Sequence, residues 1–244
     1  MVKSGLDVDP DQNKEIRVSP YRLATHLGMA FTTFTLLLWT GLDVLNPVSH
    51  QMQVAKSLAP GALKISKFLR RFSNFNMALV GTTVISGAFV AGNDAGRAYN
   101  SFPKMGDDWI PSEVLSMSPL WRNFFENTAT VQLDHRILAL TTLTSVASMY
   151  TMAVKSQYWR TLPPFSRLMH HAVAGMAATQ VGLGIATLLL YVPIELGVVH
   201  QLGSLCLLTL VTCLTHSLSF SRFGRLVIPA STVVKAASQS FMKA

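Results

Sequence analysis

QLDHRILALTTLTSVASMYTMAV, residues 132–154, joins a charged triplet to a run without any charge. The triplet is Asp134, His135 and Arg136, and the uncharged run covers residues 137–154. A transmembrane helix needs about 20 mostly apolar residues, so this run is nearly long enough to cross a bilayer. An ionisable side chain at the end of such a run indicates a functional site. The group that pairs with this side chain has to come from elsewhere in the chain.

The composition favours a membrane protein. Half of the 244 residues are hydrophobic and 13% are charged, whereas soluble proteins carry about 25% charged residues. Mean hydropathy is +0.36. The net charge of +8 could indicate a nucleic-acid partner, but the basic residues lie between apolar runs, where the positive-inside rule explains them. We therefore expect a lipid bilayer as the environment and no nucleic acid as a partner.

Five runs with little or no charge predict an all-α membrane protein with five transmembrane helices. They cover residues 23–42, 72–93, 137–154, 168–194 and 196–221. The connections 46–71 and 155–167 and the tail after residue 221 carry lysine and arginine but no acidic residue. The positive-inside rule puts these basic segments on the cytoplasmic or matrix side, and the loop 94–131 on the outer side.

The order of these runs predicts three regions. Residues 1–66 hold an outer polar connector, a first helix and a basic inner loop. Residues 67–225 form a four-helix bundle with the outer loop 94–131, and residues 226–244 form an inner tail. Small residues recur at every fourth position of the fourth run, which predicts close packing of that face against a neighbouring helix. They are Ala174, Ala178, Gly182 and Ala186.

His200 is the candidate partner of His135. It lies near the start of the fifth run, which crosses the membrane in the same direction as the run after His135. In a four-helix bundle, helices two apart in sequence stand on opposite sides of the core, so their side chains can meet across it. Two facing imidazoles predict a metal site, most simply a bis-histidine haem iron. The alternative is two interfacial histidines bonded to water or to carbonyl groups.

Other polar residues allow two interpretations each. Arg136 could bind a haem propionate or anchor the helix at the interface. Asp134 could orient the His135 ring or supply a favourable charge at a helix start. His26 stands in Thr25-His26-Leu27-Gly28, which echoes the residues around His200 and suggests equivalent helices of two homologous bundles.

The other histidines are expected to lie in loops or at the interface without a functional role: His50, His170, His171 and His216. A zinc site is disfavoured, because the chain has no HExxH or Cys-x-x-Cys motif.

Several long motifs resemble the C-terminal part of the heme A synthase family in its mitochondrial form. They are MVKSGLD from Met1, YRLATHLG from Tyr21, SGAFVAGNDAGRAYNSFPKMGDDWIP from Ser86, RNFFEN from Arg122, VQLDHRILA from Val131, TQVGLGIATLLLYVP from Thr179 and HQLGSL from His200. The resemblance implies eight helices in two similar bundles. We therefore expect this chain to hold the complete second bundle and the last helix of the first, without the first three helices.

The resemblance also implies a function and a location. Family members oxidise the C8 methyl group of haem O to the formyl group of haem A, which cytochrome c oxidase uses. By this resemblance His135 and His200 ligate the iron of a haem b cofactor, and His26 belongs to the catalytic site for haem O. The implied location is the mitochondrial inner membrane as a multi-pass protein, with heme O synthase and a ferredoxin-type electron carrier as partners. Whether the protein forms a homo-oligomer stays open, as does the alternative of a non-catalytic bis-histidine haem b protein that transfers electrons or assists assembly.

Overall fold

The computed structural model describes residues 18–224, and these are almost entirely helical. Within this range eight α-helices occur: Pro20–Leu45 (α1), Val48–Ser57 (α2), Pro60–Gly92 (α3), Ala95–Ala98 (α4), Asn123–Glu126 (α5), Thr128–Lys155 (α6), Pro164–Leu189 (α7) and Ile194–Ser217 (α8). Three short 3-10 helices cover Leu120–Arg122, Trp159–Thr161 and Ser219–Phe223. The MVKSGLD motif, most of the predicted N-terminal connector and the predicted inner tail 226–244 lie outside the described residues.

The predicted number of transmembrane helices is confirmed. Five helices are long and apolar enough to cross a membrane, namely α1, α3, α6, α7 and α8 together with the 3-10 turn after it. Their ends differ from the prediction: α3, for example, begins at Pro60 instead of residue 72. Hydropathy detects only the part of a helix that suits hydrocarbon, whereas hydrogen bonding continues the helix through the basic residues beyond it.

Helix α6 begins well before the uncharged run that predicted it. The side chain of Asn127 caps its start by accepting a hydrogen bond of 3.0 Å from the backbone N–H of Thr130. The charged triplet therefore lies inside the helix, at its seventh to ninth residues. The interpretation of Asp134 as a charge at a helix start is wrong, because the cap precedes it by seven positions in the sequence.

Helices α3, α6, α7 and α8 form a four-helix bundle. Each packs on the next, and α8 packs back on α3, so α6 and α8 occupy diagonal corners. The core is filled by one cluster of apolar side chains from all four helices, including Leu69, Val146, Val173 and Val211. Helix α1 lies outside this ring, against α3 and α8. The bundle geometry thus brings residues of α6 and α8 to opposite walls of one interior.

The expectation about the small residues of α7 is wrong. Ala178 and Gly182 are exposed, and a methyl group on Gly182 would meet no atom within 4 Å. The face of α7 that packs inward instead carries Val173 and Ala177. Small residues permit a close approach of helices, but the larger apolar side chains decide which face enters the core.

The inner end of α1 is joined to the bundle by a polar contact. His216 of α8 is buried and shares a hydrogen bond of 2.9 Å with Asp43 of α1. The ring of Trp39 meets the His216 ring edge-on, with centroids 5.2 Å apart. His170 is also buried, and its Nδ1 atom lies 2.7 Å from the backbone oxygen of Ser166. The expectation that these two histidines are interfacial is wrong, because local polar partners allow both to be buried.

Candidate functional site

A cavity of about 510 Å³ opens at the outer end of the bundle. His135 of α6 and His200 of α8 both line it, from diagonal corners of the bundle. Ligand sites in proteins commonly have volumes of about 300–1,000 Å³. Most of the wall is apolar, with Val80, Val84, Leu140, Leu143, Val181 and Leu207 among its residues. The structure therefore brings the two predicted ligands together in one apolar chamber.

The side chain of Ser86 orients the ring of His135. The Oγ atom of Ser86 lies 2.7 Å from the Nδ1 atom of His135 and 2.7 Å from the backbone oxygen of Thr83. The hydroxyl has one hydrogen, which it donates to the carbonyl, so it accepts a hydrogen bond from the protonated Nδ1. The Nε2 atom of His135 then keeps its lone pair, which is the form that binds a metal.

Gln180 contacts Nδ1 of His200 as Ser86 contacts Nδ1 of His135. The contacting atom is here a nitrogen that donates hydrogen bonds, whereas the Ser86 hydroxyl accepts one. Its Nε2 atom lies 3.1 Å from Nδ1 of His200 and donates a hydrogen bond of 2.8 Å to the His200 backbone oxygen. Its Oε1 atom is buried and, within the described part of the chain, has no hydrogen-bond partner. Ligation through Nε2 of His200 needs a proton on Nδ1. If His200 held a metal through Nε2, the Gln180 amide would present Oε1 to the Nδ1 proton in place of its NH2 group.

A glycine of the neighbouring helix lies beneath each imidazole. A methyl group on Gly87 of α3 would lie 3.1 Å from Cε1 of His135. A methyl group on Gly184 of α7 would lie 3.0 Å from Cε1 of His200. Such short distances would force the rings to move. The two glycines therefore form matched cradles that set the position of both rings.

Arg136 holds the outer loop over the cavity. Its Nη2 atom donates to the backbone oxygen of Ser101 at 2.8 Å, and to that of Tyr99 at 3.2 Å. Its Nη1 atom donates to the backbone oxygens of Pro103 and Lys104 at 3.2 and 3.1 Å. The Nε atom is buried and makes no hydrogen bond within the described residues. Most of the guanidinium is thus committed to the loop.

Gln132 supports the same loop one turn earlier on α6. Its Nε2 atom donates a hydrogen bond of 2.6 Å to the backbone oxygen of Ala95, and its Oε1 atom accepts one of 3.0 Å from Arg136. Sequence reasoning did not identify Gln132, Ser86 or Gln180. For Ser86 and Gln180 the signal was a polar side chain in an apolar run, because polar groups buried in a membrane need partners. Gln132 lies before such a run and carried no such signal.

Of the other residues that the sequence suggested for the site, His26 lies at the cavity and Asp134 lacks its expected role. His26 is exposed on α1 and lies at the edge of the same cavity. Asp134 does not orient the ring of His135, because Ser86 occupies Nδ1. That interpretation is wrong. Arg97 of α4 is exposed and also lines the cavity, at its mouth.

The two histidines suit a metal ion that already has ligands of its own, such as the iron of a haem. Among residues 18–224, no group of three or more histidine, cysteine, aspartate or glutamate side chains could hold a metal ion. Protein zinc sites use at least three side-chain ligands, whereas His135 and His200 are two. In haem the macrocycle supplies four nitrogen ligands, so two imidazoles complete the coordination. The described residues therefore fit a haem.

An outer contact ties the start of α1 to the outer loop. Glu126 accepts a hydrogen bond of 2.9 Å from Nε of Arg122 and one of 2.8 Å from the hydroxyl of Tyr21. The hydrogen bonds from Arg122, and next that from Tyr21, lower the pKa of the Glu126 carboxyl below its ordinary value. This contact fixes α1 beside the outer mouth of the cavity.

Comparison with known proteins finds one family over most of the chain. The model of the COX15-CtaA family, described as cytochrome oxidase assembly protein, matches residues 1–212. A protein of Arabidopsis thaliana named heme A synthase COX15 is 51% identical over 220 residues, covering 89% of this chain and 46% of the relative. The human protein of the same name is 46% identical, over 86% of this chain and 48% of the relative.

A bacterial relative is also similar. A protein of Nitrosospira multiformis named heme A synthase is 40% identical, over 89% of this chain and 56% of the relative. The chain thus spans about half the length of the curated relatives that it matches. No solved structure matches it.

Proposed function

The chain belongs to the COX15-CtaA family of cytochrome oxidase assembly proteins, and from this we propose that it supplies the haem-binding bundle of a heme A synthase. The observation that carries the proposal is the pair His135 and His200, which face one cavity from diagonal helices, each ring lying over a glycine. Relatives named heme A synthase over nearly the whole chain support the same assignment.

In this proposal His135 and His200 hold the iron of a haem b cofactor. Ser86 keeps the His135 ring in the tautomer whose Nε2 can bind iron, and the apolar walls exclude water from the ring. Arg136 contributes positive charge at the outer end and keeps one free N–H on Nε. When bound, haem b supplies a redox-active iron that carries electrons.

The substrate side of the proposed enzyme involves His26. We propose that a heme A synthase containing this chain oxidises the C8 methyl group of haem O to the formyl group of haem A, with His26 at the catalytic site. His26 lies on α1, outside the four-helix ring, and its side chain is exposed. Further helices packed on that face would complete a second chamber. The proposed location is the mitochondrial inner membrane, with heme O synthase as the source of substrate and a ferredoxin-type carrier for electrons.

A second candidate is a non-catalytic membrane protein that binds haem b through two histidines. It is favoured by the bundle itself: α3, α6, α7 and α8 form a closed ring, and α6 and α8 carry the two histidines. Such a protein would transfer electrons or assist assembly without a first bundle.

A haem titration of the purified chain in detergent tests the proposed site. We expect a six-coordinate, low-spin absorption spectrum for haem b, and its loss in both His135→Ala and His200→Ala. His171→Ala is the matched control, because His171 bonds Tyr150 at the exposed surface of α7 and does not line the cavity. A low-spin spectrum that persists in both cavity variants would refute the ligand assignment.

Activity separates the two candidates. The chain is supplied with haem O, ferredoxin and its reductase, alone and together with the N-terminal half of the Arabidopsis relative. Formation of haem A in either sample supports the enzyme, and a further requirement for His26 supports its catalytic role. Stable haem b binding without any haem A in both samples supports the non-catalytic protein.

A further inference from the structure

The cavity places its arginines only at the outer mouth. Of the described residues that line it, Arg97 and Arg136 are the two with a lysine or arginine charge, and both lie near the outer loop. Haem carries two propionate carboxylates. Charged groups are costly in hydrocarbon, so a haem held by His135 and His200 has to direct its carboxylates toward this mouth.

Arg136 has little hydrogen-bonding capacity left for a carboxylate. A guanidinium has five N–H groups, four of them on the two Nη atoms. Its Nη1 atom already bonds two loop carbonyl groups, and Nη2 bonds two more together with Oε1 of Gln132. Only the N–H on Nε remains, and removing the other bonds would release the loop.

Arg97, in contrast to Arg136, has its hydrogen-bonding capacity unused. Its side chain is exposed at the mouth, and within residues 18–224 the guanidinium makes no hydrogen bond, ion pair or ring contact. All five N–H groups are therefore available, and a free guanidinium can bind a carboxylate through two parallel hydrogen bonds.

The backbone beneath Arg97 is held firmly. The Arg97 N–H donates a hydrogen bond of 2.9 Å to the Asp94 carbonyl. The carbonyl of Ala95 accepts the bond from Gln132, and Gly96 packs so closely on Val192 that a methyl group would lie 3.0 Å from its Cγ2 atom. A fixed backbone with a free side chain is a suitable arrangement for an anion-binding residue.

We propose that Arg97 is the principal binding residue for the carboxylates of a tetrapyrrole in this cavity, whereas Arg136 mainly holds the loop. This inference rests on the proposed function. It assigns to α4 a binding role that complements the histidines: the imidazoles bind the metal, and Arg97 sets which edge of the macrocycle faces outward.

Affinity measurements with two haem forms test the proposal. The full chain in detergent, depleted of haem, is titrated with ferric haem b and with its dimethyl ester, which lacks the carboxylate charges. Arg97→Gln should weaken haem b binding by about 2- to 5-fold, the range of an ion pair at an exposed position. Binding of the ester should be unchanged, and Arg97→Lys should restore part of the loss.

Lys104→Gln is the control for net charge, because the Lys104 side chain is exposed on the outer loop, donates to the Asp107 carbonyl and does not line the cavity. It should leave both affinities unchanged. Equal affinities of the wild type and Arg97→Gln for haem b, or an equal loss for haem b and the ester, would overturn the role of Arg97 while a low-spin wild-type spectrum upholds the proposed function. A wild-type chain that binds neither form overturns both.

Discussion

Ser86 Oγ and His135 Nδ1 are joined by a hydrogen bond of 2.7 Å across the interface of α3 and α6. Because the Ser86 hydroxyl also donates to the Thr83 carbonyl at 2.7 Å, the imidazole is the donor in this pair. The bond therefore leaves the lone pair of His135 on Nε2. One hydroxyl group on a neighbouring helix thus sets the tautomer that the proposed metal binding requires.

Replacing Ser86 should weaken the haem site without unfolding the bundle. Ser86→Ala leaves the Nδ1 proton of His135 without a partner, and loss of such outer contacts commonly costs 10- to 100-fold in metal affinity. We expect a loss of that order in a haem b titration. Thr82→Ala is the control on the same helix, since its exposed hydroxyl bonds only the Ala78 carbonyl. An unchanged affinity in Ser86→Ala would contradict the orienting role.

Gln180 should control the electron density on His200. Gln180→Glu offers only acceptors to Nδ1, which strengthens the imidazole as a ligand and favours ferric iron. We expect the midpoint potential of bound haem b to fall by roughly 30–60 mV, where 59 mV corresponds to a tenfold change for one electron. Redox titration of the absorption spectrum measures this. Gln180→Met has similar length and no acceptor oxygen, so a similar fall in that variant would count against the mechanism.

The two glycine cradles predict a paired result. Gly87→Ala and Gly184→Ala each put a methyl group about 3 Å from an imidazole Cε1 atom, so each ring has to shift by a few tenths of an ångström and the low-spin haem spectrum should weaken. The controls are Gly81→Ala on α3 and Gly182→Ala on α7, where a methyl group meets no atom within 4 Å. Both controls should keep the spectrum. Their thermal stability should be unchanged or slightly higher, because alanine favours a helix by about 1 kcal/mol over glycine.

The Asp43–His216 contact should contribute to the docking of α1. Asp43→Ala leaves the buried Nε2 atom of His216 without its hydrogen bond, which typically costs about 1–3 kcal/mol. We expect a loss of stability of that size in denaturation followed by circular dichroism. The haem spectrum should persist, because His216 does not line the cavity. Asp107→Ala, on the exposed outer loop, should leave the stability unchanged.

Acid should weaken the outer contact of Glu126. Its folded-state pKa is lowered by Arg122 and then Tyr21, so the unfolded chain binds a proton more readily. The stabilisation is fully present above the ordinary glutamate pKa of about 4.3 and is lost as the pH falls through the lowered folded value.

Melting temperatures of the wild type and Glu126→Gln should therefore differ slightly at pH 7, since the contact is exposed. They should converge as the pH falls below the lowered folded-state pKa of Glu126. Glu113→Gln is the control, because the Glu113 carboxylate accepts a longer hydrogen bond, of 3.3 Å, from Tyr99. A difference between wild type and Glu126→Gln that stays constant across this range would show that the carboxylate charge is not involved.

Much of the fold was predictable because it depends on local properties of the chain. Five apolar runs predicted five membrane helices, and all five are present. Helices two apart in sequence were expected on opposite sides of a bundle, and α6 and α8 are diagonal. The packing face of α7 was predicted wrongly, because its small residues occur on an exposed face as well as on the buried one.

The sequence by itself determined which residues are available for chemistry. His135 and His200 stand at the starts of two apolar runs that cross the membrane in the same direction, and an ionisable side chain in such a place indicates a functional site. Only the tertiary structure decided how they are used. Ser86, Gly87, Gln180 and Gly184 contact the histidines from neighbouring helices. Such contacts depend on helix rotation and on the distance between helices, which the packing of the whole bundle sets and no local pattern specifies.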